Sequence, residues 1–385
     1  MSPISKSLPL QQTIQSDHPT TDGTRVRTYL HLNGPGDVRD RIACALSARR
    51  SEIATEHFKY SPSKLAARCT GDWKGKRFFA KIVLADPYPI PARFSTPWEM
   101  SGGFPEPVRS ASEQIEAEWE MAHKMRELSG GSSVPTPLGK SVPARTIVWD
   151  EASGTLLIRM LKKSRWKVSF VSTGASVLFQ AGMWLRNVHE TSRQSTEIIE
   201  MPALIGLVND FMEQQRPKNG SPYHRIVMKI LEESLLEIGG AGAFRVPVAF
   251  THGDFCLSNL IGESAGCRLN VVDFELCAFR PICHDLFALV SDLRSQLLNP
   301  VVPKSVILSW EKSFWAGYGP ISVQIRAFVD ALALARIFYH HLYRLLTRRQ
   351  RRGWIAGVNA QLYRTFLERM IITRRLDLPR EFCPP

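Results

Sequence analysis

The chain has 385 residues, 49 Lys+Arg against 36 Asp+Glu, a formal net charge of +13 and 44% hydrophobic content. These values exclude a disordered, collagenous or disulfide-stapled chain. One compact core rarely grows beyond about 250–300 residues, so two lobes are expected. The basic excess suggests an anionic partner: nucleic acid, phosphate groups or an acidic membrane surface. The 7 cysteines contain no CxxC pair, which argues against a zinc ribbon or a redox pair. Residues 1–15 carry a single lysine and no apolar h-region, and no run is apolar enough to span a bilayer. A soluble protein of a reducing, cytoplasmic compartment is expected, without a membrane span.

Residues 1–37, rich in Ser, Thr, Gln, Pro and Gly, show no period and read as a mobile tail. The apolar spacing of Val38, Ile42, Leu46 and Ile53 predicts a short helix over 38–54. Strands are predicted at 64–69 and 77–84, joined by a Gly- and Asp-bearing hairpin connector at 70–76. Residues 86–108 contain six prolines (Pro87, Pro89, Pro91, Pro97, Pro105, Pro107) and read as an inserted loop. An amphipathic helix is predicted over 111–128, stopped by Val134-Pro135-Thr136-Pro137, and two further strands at 146–150 and 155–161. Helical patterns then cover 176–190, 203–215, 224–238, 327–346 and 360–373, with a β-like interruption at 246–274. The architecture expected is α+β: a tail (1–37), a small mixed lobe (38–160) with the Pro-rich insertion, and a helical lobe (161–385) carrying a hairpin at 246–286.

That interruption holds the most informative residues. An apolar strand leads into His252-Gly253-Asp254 and, five residues on, Asn259; a second apolar strand delivers Asp273, with Glu275 two positions later. Hard oxygen donors at separate strand ends suit a magnesium–triphosphate complex, because Mg²⁺ takes one or two protein oxygens together with phosphates and water. Asp254 is then left to accept a proton from a substrate hydroxyl.

The run HGDFCLSN followed by VVDFE resembles the signature of the aminoglycoside phosphotransferase family, a branch of the kinase-like fold. Trp184-Leu185-Arg186-Asn187-Val188-His189 resembles that family's Leu-x-x-Leu-His helix end, and His284-Asp285-Leu286 its later Asp-Leu element. Glu118-Trp119-Glu120-Met121, followed by the Pro-rich exit at 134–137, looks like its Glu-bearing helix. The resemblance spans roughly residues 60–293 and implies a two-lobed kinase-like fold. It further implies an ATP-dependent phosphotransferase that acts on a small hydroxylated molecule. Carried over, Asp254 is the catalytic base, and Asn259 and Asp273 hold Mg²⁺. His252 braces the loop, Asp285 tethers its backbone N–H groups, His189 packs, and Glu275 is either a further metal or water ligand or a bystander.

The small lobe should supply a phosphate-binding lysine. Lys81 alternates with apolar neighbours on its strand, as in the family's Ala-x-Lys strand, and Glu118 is its expected ion-pair partner. Glu116 and Glu120 compete for that role; Glu118 is assigned by its spacing to Met121 and Met125. ATP is expected near Met160–Lys162 and Lys81. One departure concerns the phosphate cover: Tyr60-Ser61-Pro62-Ser63-Lys64 has no glycine, so Ser61, Ser63 or Lys64 side chains would have to substitute for close backbone. Phe279-Arg280-Pro281, where the family often has Gly-x-Pro, is a second departure with little bearing on chemistry.

Three rivals remain. A dinuclear metallophosphoesterase lacks its upstream Asp-x-His and its downstream Asn-His cluster. A kinase of a lipopolysaccharide-core sugar or another anionic acceptor shares the fold. A degenerate binding or scaffold protein is favoured by the glycine-free loop and disfavoured by the Asp254/Asn259/Asp273 set. Residues 321–385 hold twelve arginines, no lysine and four acids, so most of the basic excess sits there. Its Arg348–Arg352 cluster reads as a solvated helix end rather than a nucleic-acid patch. The excess argues mildly for an anionic acceptor, because a polycationic one would be repelled.

Overall fold

A computed structural model describes residues 12–13, 28–30, 32, 35–59, 66–86, 88–89, 108–131, 133–200, 243–263, 268–299 and 302–337. The helices expected at 203–215, 224–238 and 360–373, the end of the one at 327–346, the residue Lys64 and the Arg348–Arg352 cluster lie outside them.

The small lobe is a five-stranded antiparallel sheet. Its strands are β1 (Ile53–Lys59), β2 (Ala66–Trp73), β3 (Lys76–Val83), β4 (Pro137–Ser141) and β5 (Thr146–Asp150), in the order β1-β2-β3-β5-β4. On β3 the period of two separates the faces. Phe78, Ala80 and Ile82 enter a core with Ile42 of helix α1 (Pro35–Leu46), whereas Val83 packs with Ile115 and Ile147 on the other side. Lys81 belongs to that second face, which is covered by helix α2 (Ala111–Leu128).

Helix α2 begins where expected because Ser110 and Glu113 form a reciprocal capping box, each side chain meeting the other residue's backbone N–H. Its buried face carries Ile115, Glu118, Ala122 and Met125. Among the three candidate glutamates the helix therefore selects Glu118. Glu116 pairs with Lys140 instead, and Glu120 is exposed.

Several expectations need correction. A strand at Thr28–Leu30 pairs with Ala85–Asp86, and α1 starts at Pro35, so the tail reading fails at 28–30, 32 and 35–37, where Leu30 and Leu32 are buried. Helix α1 ends at Leu46, and Ile53 opens a strand instead. The hairpin turn is shorter than expected, since β2 runs on to Trp73 and only Lys74-Gly75 turns. The apolar run 155–161 is extended only at Thr155–Leu156; helix α3 (Leu157–Lys163) takes the rest, burying Leu157, Met160 and Leu161. Short apolar runs suit either state, and here the buried face follows helical spacing.

The large lobe packs α4 (Ser169–Thr191) against α6 (Lys304–Tyr318), with α5 (Cys283–Ser295) and α7 (Val323–Ile337) packed on each other. Gly174 permits the α4–α6 approach, because a Cβ there would lie 1.8 Å from the Trp310 ring. Strand Ala243–Thr251 runs between Ser195–Glu200 and Ala278–Pro281 and leads into His252. Strands Leu260–Gly262 and Leu269–Val271 pair antiparallel, and Thr155–Leu156 adds to their edge, stitching the inter-lobe segment to the hairpin. Among the described residues no helix is long and apolar enough to cross a membrane.

Candidate active site

Lys81 is the focus of a buried charge cluster. Its Nζ lies 2.9 and 3.2 Å from the two Glu118 oxygens, 2.7 Å from Glu275 Oε2 and 3.5 Å from Asp273 Oδ1. Three carboxylates thus surround one ammonium. Burial pushes the Glu118 carboxyl above its ordinary range against the pull of Lys81, with the Glu275 and Asp273 charges adding to the rise. Burial also opposes ionisation of Asp273, but there Lys81, Arg68 and His252 prevail and hold it below the usual value. Asp273 sits at φ 72°, a left-handed conformation that few non-glycine residues adopt.

The loop after Ala243–Thr251 is held from below by Asp285 on α5. Its carboxylate accepts from His252 N (2.7 Å) and Gly253 N (2.8 Å). The His189 ring lies 3.2 Å from Asp285 through Nε2 and 3.0 Å from the Tyr318 hydroxyl through Nδ1. His189 is therefore a polar strut between α4, α5 and α6, not mere packing. Gly253, at φ +82°, has no room for a side chain: a Cβ would lie 2.1 Å from the Leu276 carbonyl oxygen. His252 Nδ1 accepts from the Asp254 backbone N–H (3.3 Å), which leaves Nε2–H to donate to the Val272 carbonyl (3.1 Å). Burial keeps this imidazole's pKa below the ordinary value. One histidine thereby ties the Asp254 loop to the segment that leads from strand Leu269–Val271 to Asp273.

Asn259 donates from Nδ2 to both the backbone oxygen and Oδ2 of Asp254, each at 2.9 Å. Its amide nitrogen is spent, so the amide oxygen is the atom left to donate to a cation. A cleft of about 350 Å³ is walled by Lys81, Glu118, Asn259 and Asp273, with Phe79 and Trp149 among its apolar sides. Asp254, buried at 6% exposure, stands one hydrogen bond behind that wall. Met160 is fully buried in the core and is not among the described lining residues; Asp150, Glu151, Ala152 and Leu156 occupy the inter-lobe wall instead. Of the α3 segment around Met160, Arg159 reaches the cleft, whereas α3 turns Met160 inward.

Sequence reasoning left the role of Glu275 open and did not foresee its contact with Lys81. It also overlooked Arg68, whose Nη2 lies 3.8 Å from Asp273 Oδ2. Counting outward from the Lys74-Gly75 turn places Arg68 opposite Lys81, a signal hidden by the longer connector assumed. Among the described residues no group of three His, Cys, Asp or Glu side chains forms a metal cage. The Asp273 carboxylate and the Asn259 oxygen instead fit a hard cation that arrives with phosphates.

No curated protein sequence matches the chain. A glucosamine kinase bound to glucosamine, ADP and inorganic phosphate aligns with a TM-score of 0.53 at 13% identity, covering 91% of this chain and 90% of that one. An amicoumacin kinase in complex with AMP-PNP and Ca²⁺ aligns at 0.49 and 13% identity, covering 88% and 92%. A spectinomycin phosphotransferase complexed with AMP aligns at 0.47 and 12%, covering 86% and 93%. The likeness to the glucosamine kinase carries the fold, which is two-lobed and kinase-like. The model of the phosphotransferase enzyme family matches residues 70–322, a span that includes Lys81, Asp254, Asn259 and Asp273. The chain belongs to the phosphotransferase enzyme family.

Proposed function

We propose that the protein transfers the γ-phosphoryl group of ATP to a hydroxyl of a small molecule, with Asp254 as the base. The observation that carries this reading is convergence: Lys81, held by Glu118, shares one cleft with Asp273 and Asn259, and Asn259 is hydrogen-bonded to Asp254. Lys81 would draw the triphosphate in, and its anchoring by carboxylates fixes where the charge sits. Asn259 and Asp273 would hold Mg²⁺, which supplies charge neutralisation of the phosphates. Asp254, kept in place by Asn259 and by the His252 hydrogen bond to its backbone, would align the acceptor hydroxyl and accept its proton. The acceptor oxygen then bonds to the γ-phosphorus as the bond to the bridging oxygen breaks.

Asp254→Asn should abolish transfer, by a factor of about 10²–10⁴, while ATP still raises the melting temperature in a Mg²⁺-dependent way. A variant that retained wild-type turnover in an acceptor screen read by ATP consumption would refute the assignment. Retained transfer without Mg²⁺ would refute the metal role. The arginine excess in 321–385 favours an anionic acceptor, such as a phosphorylated or lipopolysaccharide-core sugar, as a second reading. The same screen separates the two, with neutral and anionic sugars run side by side. Absence of any ATP-induced stabilisation would favour the scaffold alternative.

A further inference from the structure

We infer that Arg68 binds the phosphate tail of the nucleotide, doing with a side chain what a glycine-rich loop does with backbone N–H groups. The inference rests on the proposed nucleotide reading of the cleft. Strands β2 and β3 pair so that Arg68 faces Lys81 across the ladder, and directly opposed residues share a face of a sheet. On β2 the neighbours Ala67 and Cys69 point into the core, which puts Arg68 on the cleft side with Lys81. The two cations bracket one carboxylate: Lys81 lies 3.5 Å from Asp273 Oδ1 and Arg68 3.8 Å from Asp273 Oδ2.

The Arg68 side chain is 57% exposed, and an ion pair at that exposure and distance contributes little to folding. Stability therefore does not account for a cation at this point. A ligand does. Arg68 is the third residue of β2, three positions past the glycine-free stretch 60–65, whose sequence offers the phosphates no glycine cradle. A guanidinium offers several N–H donors in a plane and grips phosphate oxygens bidentately, which a point-charge lysine does not. Two residues on, the Thr70 hydroxyl also borders the cleft, buried and with no hydrogen-bond partner among the described residues. Without ligand the guanidinium rests on Asp273. A triphosphate, with more negative charge than one carboxylate, would draw it away and release Asp273 for the cation.

Calorimetric titration of wild type, Arg68→Ala and Arg68→Lys with Mg²⁺–ATP and with adenosine tests this. Arg68→Ala should weaken ATP binding by roughly tenfold or more, the scale of a lost charge-assisted hydrogen bond, and leave adenosine unchanged within about twofold. Arg68→Lys should fall between, because charge is kept and the fork is lost. Equal ATP affinity in wild type and Arg68→Ala overturns the inference and leaves the nucleotide reading standing. Parallel losses for ATP and adenosine also overturn it, since they indicate a structural role. A wild-type protein that binds neither overturns both.

Discussion

Lys81 Nζ lies closer to Glu275 (2.7 Å) than to Glu118 (2.9 Å), its helix partner. Glu118 reaches the lysine from α2 in the small lobe, and Glu275 from the loop after the hairpin in the large lobe. The ion pair therefore fastens the two lobes together across the cleft. It also adds a third carboxylate where a polyanion has to enter. Glu275→Gln removes one negative charge and leaves a hydrogen-bonding side chain of the same shape. ATP binding measured in EDTA should tighten by about threefold to tenfold, as expected for removing one nearby like charge at protein effective dielectric. Titration by fluorescence or calorimetry reads this directly, and weaker metal-free binding would instead make Glu275 a phosphate-side anchor.

Removing the lysine has two separable consequences. Lys81→Ala strands Glu118, at 1% exposure, without its main counter-charge. Breaking a buried pair from one side costs about 3–5 kcal/mol, so urea denaturation should show a loss of that order together with loss of transfer. Lys81→Met combined with Glu118→Gln removes this buried pair and should recover part of the stability, Glu275 and Asp273 being left without the ammonium. Transfer should stay lost. Activity returning in the double variant would separate Lys81 from the phosphates altogether.

The legible parts of the chain are those where local chemistry and tertiary demand coincide. Helix α2 carries its own cap in Ser110 and Glu113, and strand β5 has a run of buried apolar residues, so both lie where the pattern predicts. Strand β1 was invisible because only Ile53 of its seven residues is buried, which leaves no alternation to read. Strand β4 likewise has no fully buried residue. Asp254, Asn259, Asp273 and Lys81 could be named from motif order, and they share one neighbourhood. The contacts of Lys81 with Glu275, of Arg68 with Asp273 and of His189 with Asp285 span 96 to 205 positions. Such pairings arise from register and lobe packing, on which no local pattern reports.

Gly253 offers a backbone test of the same loop. At φ +82°, with the Leu276 oxygen 2.1 Å from where a Cβ would stand, alanine strains the turn and collides with backbone that has little room to yield. The hydrogen bond from Gly253 N to Asp285 is lost if the loop shifts to relieve that contact. Gly253→Ala should therefore destabilise by more than about 1 kcal/mol and reduce transfer by at least about tenfold. Retained turnover would show that the loop tolerates displacement and that its exact geometry is not what places Asp254.

Asp285 connects the loop to acid stability. Burial raises its pKa, but the hydrogen bond from His189 and the nearby His284 ring, 4.0 Å away, outweigh that effect and hold the carboxyl well below the ordinary carboxylate range. A group with a depressed folded pKa contributes stability that is fully present above its unfolded value, near about 4, and is lost as pH falls through the folded value. Unfolding midpoints followed from neutral pH downward should thus be level for this group until about pH 4 and decline below it. Asp285→Asn should lower the midpoint at pH 7 and flatten the decline below pH 4, because the titrating carboxylate is gone. If the variant kept the wild-type slope on the acid limb, other carboxylates would govern acid unfolding, and Asp285 would serve only as a tether for His252 and Gly253.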